Sequence, residues 1–361
     1  MGLKERYRNM AENRKSALFL MGLLSMVFAE VFSGSFPTWF VDPFGLTVTL
    51  TLYWSHTLFF LAIGSRLHRM SVPHLYLWGT FFGLYESWVT KVLWAGFPGS
   101  TPIFDAVVGV AIVETLVLVL FWHPIFSFVL PVLVFEILSR ARDPTAPLLP
   151  GHERWLVASR RNKVIAVIFM IWGGANIANG VHLDVVTALV GGTGSVLLVA
   201  LVYRLAVRGG KTFSIRTVVL GDRGLKATAA YILIYYAVTF PLLRPEGIPG
   251  PEGFVAVLLL YLIFVVIMAR TPTDDRLTTS ASNAKLLDVE YVRKMMALFI
   301  VVSVIMCFLP AIDVILVFTG ILSLIVVGPI TLFLGLRSVF RISGGTQVSA
   351  ESTIAIRGEE T

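Results

Sequence analysis

Apolar residues run through this chain in long blocks, broken by short polar stretches that carry proline, glycine or charge. Blocks at 17–36, 41–64, 74–95 and 103–122 come first, and blocks at 164–181, 185–207, 227–243, 254–269, 295–309 and 312–336 follow later. Most are near the ~20 residues that a helix needs to cross a ~30 Å hydrocarbon layer. Pro37 separates the first two, and Gly96-Phe97-Pro98-Gly99-Ser100-Thr101-Pro102 is turn chemistry before the fourth. His123-Pro124 should then stop a helix, since proline removes a donor and clashes with the preceding turn. The next run, 125–138, carries Pro131 and Glu136 and is short for a crossing.

Basic residues sharpen that count. They gather at the start of the chain, at Arg66 and Arg69, across 140–163, 204–226 and 270–294, and at Arg337 and Arg341. Such loops belong on the cytoplasmic side. Four crossings return the chain there at His123, and the basic 140–163 loop must also lie there, so 125–138 should be re-entrant or interfacial. The expectation is an all-α polytopic protein with about ten transmembrane helices plus that one half-element, both termini cytoplasmic, in a cell membrane. Along the chain this predicts a basic N-terminus (1–16), a polar-site bundle (17–138), a basic loop (139–163), a scaffolding bundle (164–336) and an unstructured tail (337–361). A short helix over 284–293 is expected inside the polar 271–294 loop.

Composition agrees. Of 361 residues 56% are hydrophobic and 14% charged, against roughly 25% charged in soluble domains. The net charge of +7 reports loop orientation and attraction to anionic membrane lipids, and does not point to nucleic acid. A single cysteine, Cys307, excludes an intramolecular disulfide and cysteine metal clusters. The basic start followed by an apolar run could be a secretory signal, but Glu30 interrupts the candidate cleavage region, so an uncleaved first span is expected.

Candidate chemistry lies in charges placed where lipid should be. An ionised residue at the bilayer centre costs ~2.5–3.5 kcal/mol on insertion scales, so it marks a site or a partnered joint. Glu86, Glu114 and His56 fall near mid-span, with Glu30 and Asp105 nearer span ends. Gly79, Gly83, Glu86 and Thr90 form one helical stripe, and glycines four apart admit a close neighbour. Glu86 should therefore face another helix. Lys91, five residues on, points about 140° away and is no intrahelical partner. Thr49, Tyr53 and His56 share a stripe, as do Trp172, Asn176 and Asn179 with His182 beyond. These stripes could line one cavity, with Glu86 and His56 as the chemical pair and Glu30, Glu114, Asp105, Lys91, Asn176 and Asn179 lining it or binding protons. No His-Glu-x-x-His or similar spacing suggests a metal, and no cofactor motif appears.

Gly83-Leu84-Tyr85-Glu86, followed by Thr90-Lys91, resembles the glutamate motif of the intramembrane glutamic proteases of the CAAX-processing and bacteriocin-processing type. The resemblance would imply paired glutamates, then Phe-x-x-x-His and His-x-x-x-Asn/Asp motifs. This chain has Tyr85 in place of a first glutamate, Val119 four residues before His123, and Val186 four after His182. Only Glu86 matches, so the protease mechanism is not carried over. The first three spans also resemble polytopic membrane proteins of bacteria and archaea that have no assigned activity.

Three functions fit these residues. The leading one is transport of a small or lipid-linked solute through a polar intramembrane cavity. The alternatives are an intramembrane hydrolase or transferase with Glu86 as general base, and a non-catalytic subunit in which the same residues join helices.

Overall fold

The computed structural model describes residues 13–274 and 285–357, with side chains through 340. Its long helices are α1 (Arg14–Met26), α2 (Leu50–Arg66), α3 (Val72–Val89), α4 (Ile112–Arg140), α5 (Arg160–Gly180), α6 (Val185–Ala206), α7 (Asp222–Leu242), α8 (Pro251–Arg270), α9 (Val289–Met306) and α10 (Pro310–Arg357). Among the described residues, seven helical stretches are long and apolar enough to cross a membrane: the one ending α2 from Gly45, α4 to α8, and α10 through Phe340.

The fourth helix departs from the sequence reading. Residues 103–109 are not helical. They lead into a small antiparallel hairpin, β1 (Ala106–Val107) with β2 (Val110–Ala111). From Ile112 the helix then continues through His123-Pro124 to Arg140, so the expected break and separate half-element are absent. The reason lies in its winding. Thr115–Val129 is a π-helix, whose wider turns accommodate Pro124 without breaking the rod. Two other composition-based expectations also give way. Residues 289–293 are the first turns of α9 rather than a separate short helix, while 284 lies outside the described residues. The backbone of α10 stays helical to Arg357, beyond where an unstructured tail was expected, and 358–361 are outside the described residues.

Burial ranks the helices. In α4, 72% of the most apolar window is buried, against 11% in α7 and 17% in α10. The centre is thus α4 packed against α1, α2 and α3, while the later helices present apolar outer faces such as Leu233 and Ile234. Such faces suit lipid, where backbone groups are satisfied within the helix and exposed side chains are apolar. Local chemistry starts several helices. Ser159 accepts from Asn162 N at 3.2 Å, Asp184 from Thr187 N at 2.6 Å and Asp288 from Tyr291 N at 2.8 Å.

The start of α3 is capped from a distance. Asp274, after α8, accepts from the backbone N–H groups of Met70 and Ser71 and pairs with His74 Nδ1 at 3.0 Å. Arg69 in turn donates to Thr271, so the end of α8 is fastened to the α2–α3 turn. Burial alone would raise the Asp274 carboxyl, but hydrogen bonds from His74 and the helix N-terminus outweigh it and hold it below the ordinary carboxylate value of 3.8. A carboxyl depressed on folding stabilises fully above its unfolded value and ceases to as pH falls through the lower folded one. The acid limb of thermal stability should therefore steepen below about pH 4. Melting curves of Asp274→Asn against pH should lack that limb, and an unchanged acid limb would refute the assignment.

Candidate functional site

The glycine stripe on α3 is where the central helix comes in. A Cβ on Gly79 would lie 2.5 Å from Pro124 Cα, and one on Gly83 would lie 3.1 Å from Val119 Cα. At Gly79 only glycine permits so close a backbone, while at Gly83 a methyl would fit only if α4 moved by a few tenths of an ångström. One turn further along the stripe, that approach sets Glu86 Oε2 at 2.9 Å from His123 Nε2. The carboxylate side chain is 12% exposed and the imidazole 4%. His123 Nδ1 meets Ser127 Oγ at 3.0 Å, one turn along α4. A neutral ring donates at Nε2 to Glu86 and accepts from the Ser127 hydroxyl; a protonated ring donates at both nitrogens. Ser87 Oγ also donates to Glu86 Oε2 at 3.1 Å.

A second carboxylate lies beside this pair. Glu30 sits in a π-turn, Val27–Val31, that extends α1. Tyr53 of α2 donates its hydroxyl to Glu30 Oε1 at 2.5 Å, and Ser35 Oγ donates to Oε2. Glu30 is close enough to Glu86 and His123 to interact with both electrostatically. The Tyr53 ring lies 6.3 Å from that of His123, and Phe82 contacts both. Ser35 is exposed and Ser33 half-buried, so the cluster reaches the surface at the end of the bundle away from the basic loops. In the other direction, Ser25 Oγ donates to Ser127 O at 2.6 Å and accepts from Thr57 at 2.8 Å. Four helices thus contribute to two adjoining hydrogen-bonded clusters, one around Glu86 and one around Glu30, bridged by the Tyr53, Phe82 and His123 rings.

The structure rearranges the sequence candidates around that polar region. Glu86 and Glu30 belong to it. His56 does not reach Glu86: its Nδ1 donates to Leu52 O at 2.7 Å, and its ring is surrounded by Phe60, Phe82 and Tyr85. His123 takes the place expected for His56. Lys91, in left-handed backbone at φ 60°, caps the far end of α7 by donating to Phe240 O and Leu243 O. Glu114 is in the first turn of α4 rather than at mid-span, and accepts from Ile103 N at 2.9 Å. Asp105 is exposed in the loop before the hairpin. Asn176 donates to Phe32 O at 3.1 Å, joining α5 to the α1 end, and Asn179 faces the buried Asp313. The α5 stripe thus meets the end of α1 and Asp313 rather than Glu86.

The pairing of His123 and Ser127 with Glu86 is hidden in the sequence because Pro124 reads as a helix end. Their i, i+4 spacing, on a helix allowed to continue, was the available signal. Among the described residues no group of three or more His, Cys, Asp or Glu side chains is arranged to hold a metal ion. The groups suit proton exchange: an imidazole is hydrogen-bonded to one buried carboxylate and a phenol to the other, and the two pairs lie side by side.

Comparison with known proteins places the chain. An uncharacterized protein of Archaeoglobus fulgidus is 35% identical over 159 residues, covering 44% of this chain and 48% of that relative. The alignment thus spans about half of the relative's length. No solved structure matches. The model of an uncharacterized membrane protein family matches residues 19–347, and with that match and its succession of apolar helices the chain belongs to this family of multi-pass membrane proteins.

Proposed function

We propose that this protein is a proton-coupled membrane transporter of a small or lipid-linked solute, with Glu86–His123 and Glu30–Tyr53 as its proton-binding groups. One observation carries the reading. Two carboxylates on different helices, each hydrogen-bonded in its own polar cluster, lie close enough to interact electrostatically, and the Glu30 cluster meets the surface at Ser33 and Ser35. Intramembrane carboxylates that face the bundle interior are the usual elements of proton relays. The π-winding of α4 around His123 adds to it, since such winding concentrates at functional sites. With α1, α3 and α9 also crossing, the chain spans the membrane about ten times, with both termini on the side of the basic loops.

The test uses proteoliposomes that hold a pH-sensitive dye under an imposed pH gradient. Amino acids, sugars, organic anions and short-chain phospholipids are offered one class at a time. The wild type should discharge the gradient with at least one class, and Glu86→Gln with none. Discharge by no class, or equal discharge by both proteins, counts against transport.

A second reading is an intramembrane hydrolase or transferase in which Glu86 activates water and His123 orients it. It is favoured by one-sided access: among the described residues the polar region opens to the surface at Ser35, beside Glu30, while Ser25 and Thr57 at its inner end are buried. Product release from a labelled phospholipid without any gradient, abolished in Glu86→Gln, would select it over transport.

A further inference from the structure

On the face of α4 turned away from His123 lies a cleft of about 450 Å³ between α4, α5, α9 and α10. That volume is within the ~300–1,000 Å³ range of small-ligand sites. Its walls are almost wholly apolar, with Leu133 and Phe169 among them. Hydroxyl groups of Tyr291, Thr331 and Ser338 line it elsewhere, and its one charged lining residue, Arg154, stands with Trp155 and Asn162 where the short helix Glu153–Leu156 and the start of α5 meet.

That mouth is built for negative charge. The guanidinium of Arg154 lies 5.5 Å from the Trp155 ring centroid and that of Arg161 lies 5.4 Å from it. The indole N–H of Trp155 is buried and has no hydrogen-bond partner. A buried donor left unpaired is costly, so an acceptor is expected there. Residues 153–163 carry Arg154, Arg160, Arg161 and Lys163 against one carboxylate, Glu153. Asn162 holds the mouth in shape, donating to the carbonyls of Arg154, Trp155 and Val157 at 2.9, 3.0 and 2.9 Å. An apolar slot with a preorganised cationic rim, in a chain whose outer surface faces lipid, has one matching occupant class.

We propose that the cleft binds an anionic phospholipid. One hydrocarbon chain lies between α4, α5, α9 and α10, and the headgroup phosphate is held by Arg154, Arg161 and the Trp155 indole N–H. This site is independent of the proton-binding groups on the other face of α4.

Full-length protein in detergent is equilibrated with tritiated phosphatidylglycerol, and separately with phosphatidylcholine of identical chains. Phosphatidylglycerol should bind saturably at one per chain and more tightly than phosphatidylcholine. Removing both cations in Arg154→Ala/Arg161→Ala should weaken it about 30-fold, as two interfacial cations together imply. Trp155→Phe, which keeps the ring and loses the donor, should weaken it several-fold. Equal binding of the two lipids, or a folded double variant that binds as the wild type does, overturns the proposal. So does full displacement by millimolar inorganic phosphate, which would mark a free-phosphate site instead. If the double variant does not fold, the ratio of the two lipids on wild-type protein, together with Trp155→Phe, decides.

Discussion

Glu86→Ala should lower the stability of the protein by about 3–5 kcal/mol if the pair is ionic, or about 1–3 kcal/mol if it is neutral. The substitution leaves His123 buried, 4% exposed, opposite a hole where a carboxylate stood at 2.9 Å. The imidazole cannot turn to water, because its other nitrogen is engaged by Ser127 and α3 lies against it at Gly83. Glu86→Gln is the informative contrast. Its amide oxygen can still accept from His123 Nε2–H, so it should lie within about 1 kcal/mol of the wild type. Yet it cannot take up a proton. Proton-coupled discharge should therefore disappear in both variants, while thermal unfolding in detergent separates them. A glutamine variant that is both stable and fully active would reduce Glu86 to a joint between helices.

The second large effect is expected away from that pair. Glu136 and His152 are both fully buried and meet at 2.6 Å, and the other Glu136 oxygen accepts from Leu149 N at 2.8 Å. This pair fixes the loop after α4 to the helix that precedes it. Glu136→Ala orphans an imidazole and a backbone N–H together, and should cost about 3–5 kcal/mol. Discharge per folded molecule should nevertheless match the wild type. Two variants with comparable losses of melting temperature and opposite transport outcomes would separate stability from function. If Glu136→Ala melts with the wild type, the buried pair carries no weight in the fold. If it abolishes discharge while remaining folded, the proton path must extend to the basic end.

How far the site was legible depended on distance along the chain. The stripe Gly79–Gly83–Glu86 was readable because it lies within one helix, and its prediction that Glu86 faces a neighbouring helix matches the contact with α4. The partner was not readable. His56 and His123 are both histidines within apolar blocks, and nothing local to either tells which one lies beside Glu86. Pro124 worsened this, since a proline that stops an α-helix is tolerated when the turns widen, and here the widened turn packs its Pro124 against Gly79 of α3. Likewise Lys91 and Glu114 were visible as anomalies in apolar sequence, while their acceptor and donor, at Phe240, Leu243 and Ile103, lie on other segments.

That this is a helical, multi-pass membrane protein follows from the amino acids alone, because hydropathy over twenty residues and the placement of charge are local sums that a bilayer reads directly. The amino acids also determine which carboxylates require an explanation, because an unpartnered charge in lipid is costly wherever the helices lie. Which partner each carboxylate meets depends on how the helices pack. That depends on backbone approach at two glycines, on a proline absorbed into a wide helix, and on the resulting meeting of Glu86 with His123 beside Glu30 and Tyr53.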